Sequence, residues 1–247
     1  MNENNKTNKK IRNFYENLYS KKTNGNPAFV LYDAIRVKKI QKSILNKQNE
    51  KILIIGCGSK KDQEFIENKN KSFGLDISYN AIKSIKDKRQ FLVADGMSIP
   101  IRENYFEMII ISEVIEHIQN YSQVYSEINR VIMKNGRVII TTPNWMSWFG
   151  LFRWFAELIT RKAITSANQP YDDWKTIKKI RNELPPNFKI TKTSGIWYLP
   201  PLHFRNKGLA KPFVLLLYTF FIPIESIFSK ILPNFGHLLF IECEIKK

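Results

Sequence analysis

From Lys51 onward, apolar residues fall into short runs separated by polar, glycine-bearing turns. Residues 52–55 read ILII and stop at Gly56, Cys57 and Gly58. Gly74 and Leu75 precede Asp76, twenty residues after Gly56. Further runs are FLVADG at 91–96, FEMIII at 106–111 and KNGRVIITTP at 134–143. Apolar runs of this length, bounded by turn residues, predict buried strands. Strands alternate with helical stretches from 51 to 143, which predicts a parallel sheet with helices on both faces. Upstream, Phe14, Leu18 and Tyr19, then Val30, Ala34, Val37 and Ile40, recur at helical spacing and predict one or two helices within residues 11–47. Residues 1–10 are polar and charged and are expected to be disordered.

The character changes after Asn144. Residues 145–155 read WMSWFGLFRWF, with Arg161 and Lys162 close behind. A basic, aromatic-rich amphipathic helix suits a membrane interface. Lining an apolar pocket or packing on the sheet would use the same residues. Residues 172–184 predict a helix with Asp172 as its cap, stopped by Pro185 and Pro186. Residues 188–198 read as a sixth strand. Residues 213–222 are almost wholly apolar, but a bilayer span needs about 20 such residues. A buried helix between the last two strands and a membrane-docking helix both fit that segment. Residues 237–246 read as the closing strand, with Leu239, Ile241 and Cys243 on one face.

Glycines let a backbone pass close to a bound nucleoside, and an acid at the next strand's tip can accept hydrogen bonds from ribose hydroxyls. A dinucleotide turn would read G-x-G-x-x-G, yet Lys61 stands at the third glycine position, so a nicotinamide cofactor is a weak reading. The segments GCG at 56–58, LDIS at 75–78, ADG at 94–96 and EVIEH at 113–117, followed by Gly136, occur in order. On these motifs, over roughly residues 50–145, the chain resembles the class I S-adenosylmethionine-dependent methyltransferases. It is most similar to the broad group of quinone-biosynthesis and small-molecule enzymes.

The resemblance implies an α/β, Rossmann-like fold: a seven-stranded, mostly parallel sheet with helices on both faces and an N-terminal helical cap. It divides the chain into a tail and cap at 1–50 and a methyltransferase domain at 51–247, with 144–187 and 199–236 as substrate cover. It also implies roles for single residues. Gly56, Cys57 and Gly58 would line the methionine part of S-adenosylmethionine. Asp76 would bind the ribose, with Ile77 against the adenine. Asp95 and Gly96 would meet the adenine edge, and Ser112 and Glu113 would border the transferred methyl group. Three positions depart from the family pattern: Ile54, where an acid is usual; Lys60, where a third glycine is usual; and Glu107, where Asp is more common.

Displacement at a sulfonium methyl draws most of its acceleration from positioning. An oxygen or nitrogen acceptor gains further from a general base near the methyl. His117 leads the candidates, followed by His203 and Glu113; a lone histidine is more often a structural or surface residue. Glu113, Glu116 and His117 could together hold a divalent cation. The same residues serve in many relatives to fix a helix start, and no metal is assigned.

Composition adds a partner question. The 247 residues carry a formal net charge of +17, with 39 Lys and Arg against 22 Asp and Glu. Such a balance invites an anionic membrane surface or a nucleic acid, although a lysine-rich solvated surface explains it too. The basic residues are scattered, with no arginine-rich stripe interleaved with aromatics. Two cysteines, Cys57 and Cys243, do not form a disulfide framework, so a reducing, cytoplasmic setting is expected. The stretch MNENNKTNKK lacks the apolar core of a signal peptide. Both apolar segments follow strand ends on the cofactor side, so the expected acceptor is a hydrophobic small molecule or a lipid-linked one, methylated on oxygen. An RNA methyltransferase is the runner-up. A catalytically silent, membrane-associated relative is the reading from outside the enzyme class.

Overall fold

A computed structural model describes residues 3–20, 27–58, 66, 70–83, 85, 90–165, 169–198, 216 and 223–247. Seven strands form one sheet: β1 (Lys51–Ile55), β2 (Lys71–Asp76), β3 (Phe91–Val93), β4 (Phe106–Ser112), β5 (Ile132–Pro143), β6 (Phe188–Ile196) and β7 (Leu238–Ile245). Their order is β3-β2-β1-β4-β5-β7-β6. Only β7 runs antiparallel to its neighbours. The order reverses between β1 and β4, which opens a crevice at the carboxyl ends of those strands.

The sheet is buried because its central strands are apolar on both faces, as parallel strands covered by helices must be. Side chains alternate from face to face along each strand. Leu53, Ile55, Ile109 and Ile111 join the core on one side. Ile52, Ile54, Met108 and Ile110 join the core on the other. Ile54, the first departure from the family pattern, is therefore a fully buried core residue paired in register with Gly74 and Ile110.

The helices are α1 (Glu3–Ser20), α2 (Pro27–Ile44), α3 (Tyr79–Lys83), α4 (Tyr121–Val131), α5 (Trp148–Thr160) and α6 (Ile177–Glu183), with a 3-10 turn at Ile115–His117. In α4, Val124, Tyr125, Ile128 and Val131 make the stripe that packs on the sheet.

Several expectations need correcting. The composition of residues 1–10 predicts disorder, but α1 begins at Glu3. Its inward positions are Ile11, Tyr15 and Tyr19, spaced by four, whereas Leu18 is exposed. In α2 the buried positions are Arg36, Val37, Ile40 and Ile44, while Ala34 faces out. The helix expected over 172–184 is only α6, capped by Thr176, whose Oγ1 accepts the Lys179 amide at 3.1 Å. Asp172 instead lies buried in an ion pair. The sixth strand ends at Ile196, because Trp197 turns to a left-handed φ of 63°. Residues 213–222 lie outside the described residues except for Leu216. Among the described residues, no helix is long and apolar enough to cross a membrane.

Candidate active site

The turn after β1 shapes the crevice. Gly56 (φ 71°) and Gly58 (φ 52°) adopt left-handed backbone. A Cβ on Gly56 would stand 2.2 Å from Val114 Cγ2, and one on Gly58 would stand 2.6 Å from the Tyr19 hydroxyl. The Gly56 amide donates to the Leu75 carbonyl at 2.7 Å. The Gly58 amide donates to Asp76 Oδ2 at 2.8 Å, and the Ser78 amide to Asp76 Oδ1 at 2.8 Å. Asp76 thus ties the tips of β1 and β2 together. Its burial pushes its pKa up, against the pull of these two amides.

The cleft encloses about 130 Å³ and opens at one side. Ile55, Gly56, Leu75, Asp76 and Ile77 form its floor, and Ala94, Asp95 and Gly96 one wall. Glu113, Val114, His117 and Ile118 form the opposite wall. Ile11, Tyr15 and Tyr19 of α1 close over it. Glu16 latches α1 in place. Its carboxylate accepts the amides of Tyr79 (2.7 Å) and Asn80 (3.0 Å) and the Ser78 hydroxyl (3.1 Å). Partial burial opposes its charge, but these bonds and Arg12 hold its pKa below the usual range.

Five of the sequence-predicted residues meet in this cleft with Glu113 and His117: Gly56, Asp76, Ile77, Asp95 and Gly96. Gly58 does not line it and acts through its amide bond to Asp76. Cys57 and Ser112 do not line it. The Cys57 side chain belongs to the opposite core with Ile52 and Ile54. Ser112 is buried, receiving a bond from Arg36 Nη1 at 2.5 Å and sharing one with Thr141 Oγ1 at 2.8 Å. His203 and Lys60 lie outside the described residues.

Beyond the cleft sits a charged layer. Glu113 takes a left-handed φ of 53° at the end of β4. Its Oε1 stands 3.1 Å from Arg36 Nε, and its Oε2 accepts the Tyr32 hydroxyl at 3.2 Å. Burial raises its pKa to about 7, with Arg36 pulling the other way. Glu116 is buried, and its Oε2 accepts the Thr142 hydroxyl at 3.0 Å. Burial drives its pKa up to about 8.

His117 ends the 3-10 turn with Nδ1 3.1 Å from the Tyr171 carbonyl. A carbonyl only accepts, so Nδ1 carries the proton and Nε2 keeps a lone pair. Nε2 lies 3.6 Å from Glu116 Oε1. Burial lowers the His117 pKa, the carbonyl and Asp172 opposing, so the ring is neutral at pH 7. Among the described residues no group of three or more His, Cys, Asp and Glu converges to hold a metal.

A chain of rings continues from there. Tyr32 packs on Trp197 (5.8 Å) and His237 (5.9 Å). His237 meets Phe149 (4.6 Å) and Trp174 (5.4 Å), and Trp174 meets Trp145 (5.7 Å). The sequence reading missed this cluster because its members come from five separate segments. It also missed Arg36, a basic residue on an otherwise apolar stripe. Tyr15 was findable, since it lies four residues before Tyr19 and four after Ile11 on one helix face.

Residues 53–140 match the model of the Methyltransferase domain family. An uncharacterized protein of Methanocaldococcus jannaschii is 25% identical over 210 residues, covering 83% of each chain. The malonyl-[acyl-carrier protein] O-methyltransferase of Legionella pneumophila is 26% identical over 129 residues, 44% of this chain and 45% of its own. In fold, the chain is similar to a S-adenosylmethionine-dependent methyltransferase of Thermotoga maritima (TM-score 0.63, 12% identity, 96% of this chain and 99% of that one). The matched domain, the sheet order and the glycine cleft define a class of enzyme that transfers a one-carbon group from a nucleoside cofactor. Over residues 53–140 the chain carries a methyltransferase domain, and its fold is that of the S-adenosylmethionine-dependent methyltransferases. It is an enzyme, and S-adenosylmethionine is its cofactor.

The cleft suits that cofactor. A Cβ on Gly56 would press on Val114 and one on Gly58 on Tyr19, both of which line the cleft; its floor sets the buried carboxylate of Asp76 among the apolar side chains of Ile55, Leu75 and Ile77, and Ile118 adds to one wall. When bound, the cofactor supplies an activated methyl group on sulfur.

Proposed function

We propose that this enzyme methylates an oxygen of a hydrophobic small-molecule or lipid-linked acceptor, and that it does so in peripheral contact with an anionic membrane. In this reading His117 is the base. The observation that carries it is the His117 ring on the cleft wall, neutral and held by the Tyr171 carbonyl so that Nε2 can take a proton. A hydroxyl placed between Nε2 and the cofactor's methyl group would lose its proton to His117 as its oxygen attacks. Gly56, Gly58, Asp76 and Asp95 would hold the cofactor. Glu113 is paired with Arg36 and Tyr32, so its role in this reading is to position α2 against the cleft rather than to take the proton.

The ring cluster of Tyr32, Phe149, Trp174, Trp197 and His237 favours an apolar acceptor. Oxygen is favoured over nitrogen by the partial relative from Legionella, an O-methyltransferase by name. The test is methyl transfer from radiolabelled S-adenosylmethionine to a panel of quinols, phenols, lipid-linked sugars and transfer RNA. Label entering the organic-soluble acceptors supports the proposal. Label entering RNA alone, with salt-sensitive RNA binding, replaces it with an RNA methyltransferase.

A further inference from the structure

Helix α5 is built inside out. Its inward line is Phe149, Gly150, Arg153, Ala156 and Glu157, and the residues buried on that line are Gly150 and Arg153. Gly150 is required because a Cβ there would stand 2.1 Å from the Trp145 carbonyl oxygen. Arg153 lies between two indoles, 4.8 Å from the ring of Trp145 and 4.7 Å from that of Trp174. It donates through Nη1 to Asp172 Oδ2 (2.9 Å) and through Nε to Glu157 Oε1 (2.9 Å). The helix therefore turns both its charged side chains toward the protein.

The outward face carries only large apolar residues. Trp148, Phe152, Phe155 and Ile159 run along it, flanked by Leu151, Trp154 and Leu158, and all seven are exposed. Trp148 and Phe152 leave 71% and 73% of their surface open. Monomeric soluble proteins rarely present such a contiguous patch to water. Thirteen residues make a rod of about 20 Å, enough to lie along an interface and too short to cross one.

We infer that the outward face of α5 is the surface by which this enzyme docks on an anionic lipid membrane. The chain's charge of +17 complements anionic headgroups. Arg161 and Lys162 are exposed immediately beyond the helix, and the outward face holds no acid. The helical residues 223–231 precede β7, whose first residue Leu238 pairs with Pro143 at the end of β5, and they expose Ile227, Ile231 and Lys230. Leu151, Leu158 and Ile159 decide between lipid and nucleic acid. Aliphatic side chains gain from leaving water for acyl chains, but they offer no ring for stacking on bases. The inference rests on the peripheral-membrane part of the proposed function and names its surface; it does not depend on the acceptor.

The experiment is sedimentation of the full chain with vesicles of equimolar phosphatidylcholine and phosphatidylserine, and with phosphatidylcholine alone. The expected result is binding to the first, a blue shift of tryptophan emission, and weaker binding in high salt. The variant Trp148→Ser/Phe152→Ser/Phe155→Ser changes only exposed positions. It should bind the vesicles about a thousandfold more weakly, because each of the three large side chains withdrawn from water contributes about a decade. S-adenosylhomocysteine titration of both proteins separates outcomes: equal binding shows an intact cofactor site whatever the vesicles report. No binding of the unaltered chain to anionic vesicles overturns the inference, as does undiminished binding by the variant. A dimer in vesicle-free solution that the substitutions dissolve assigns the face to a second copy instead.

Discussion

Arg153 Nη1 and Asp172 Oδ2 meet at 2.9 Å across a buried gap between α5 and the segment before α6. Asp172 Oδ1 also accepts the Trp174 indole N–H at 3.0 Å and lies 4.0 Å from His117 Nδ1. One carboxylate thus joins the helix that carries the aromatic face to the wall of the cleft. Removing one member of a buried pair strands the other charge, at a cost of about 3–5 kcal/mol. Asp172→Asn should therefore lower the melting temperature by roughly 6–20 °C for a chain of this size. Replacing both partners, as Arg153→Met/Asp172→Leu, should recover most of the loss. Calorimetry showing Asp172→Asn within a degree of the unaltered protein would mean that the pair contributes nothing.

Gly58 gives a sharper test of the cleft. Alanine there must hold a φ of 52° and bring its Cβ to 2.6 Å from the Tyr19 hydroxyl. The left-handed backbone costs about 1 kcal/mol or more. The displaced Tyr19 would also loosen α1 over the cleft. Isothermal titration with S-adenosylhomocysteine should show Gly58→Ala binding about tenfold more weakly, which corresponds to about 1.4 kcal/mol. Unchanged affinity would separate the glycine turn from cofactor binding.

Glu116 should leave a mark on stability as a function of pH. Unfolded, its carboxyl loses a proton near 4.5; folded, burial delays that loss to about 8. Between those values the native state binds more protons than the unfolded one, so stability falls as pH rises. Below pH 4.5 the effect is absent, and above pH 8 it is complete. Its upper limit is about 5 kcal/mol at 1.36 kcal/mol per pKa unit. Glu116→Gln keeps an acceptor for the Thr142 hydroxyl without the proton. Its melting temperature should therefore gain on the unaltered protein steadily from pH 5 to pH 8. Parallel curves would show that Glu116 ionises normally.

The sequence made the sheet readable because its strands are short apolar runs that punctuation isolates. Gly56, Asp76, Asp95 and His117 were readable because each follows such a strand, where an open parallel sheet gathers its ligands. Arg36 and Asp172 were not. Arg36 reads locally as a solvated charge and Asp172 as a helix cap, and it takes distant partners, Glu113 and Ser112 for one and Arg153 for the other, to make them interior residues. The inversion of α5 was hidden for a related reason. Periodicity separates an apolar face from a polar one, but it does not say which of them meets the protein.

His117 carries the remaining prediction. Its Nδ1 bond to the Tyr171 carbonyl selects one tautomer, and burial lowers its pKa below the ordinary 6.5. The chain has three histidines, so the ring nitrogens can be followed one by one in a labelled sample. Nitrogen-15 spectra should show His117 protonated at Nδ1 and neutral through pH 6.5, where an exposed histidine is half charged. A neutral ring at that pH keeps the base available, so the acid limb of kcat should fall below pH 6.5. His117→Ala should lower kcat by about 10²–10⁴, the range for a positioned general base. Its affinity for S-adenosylhomocysteine should stay within a few-fold, since the glycine turn and Asp76 are untouched. An Nε2-protonated ring, or a pKa above 6.5, would remove His117 from the role and leave the proton to the acceptor's own acidity.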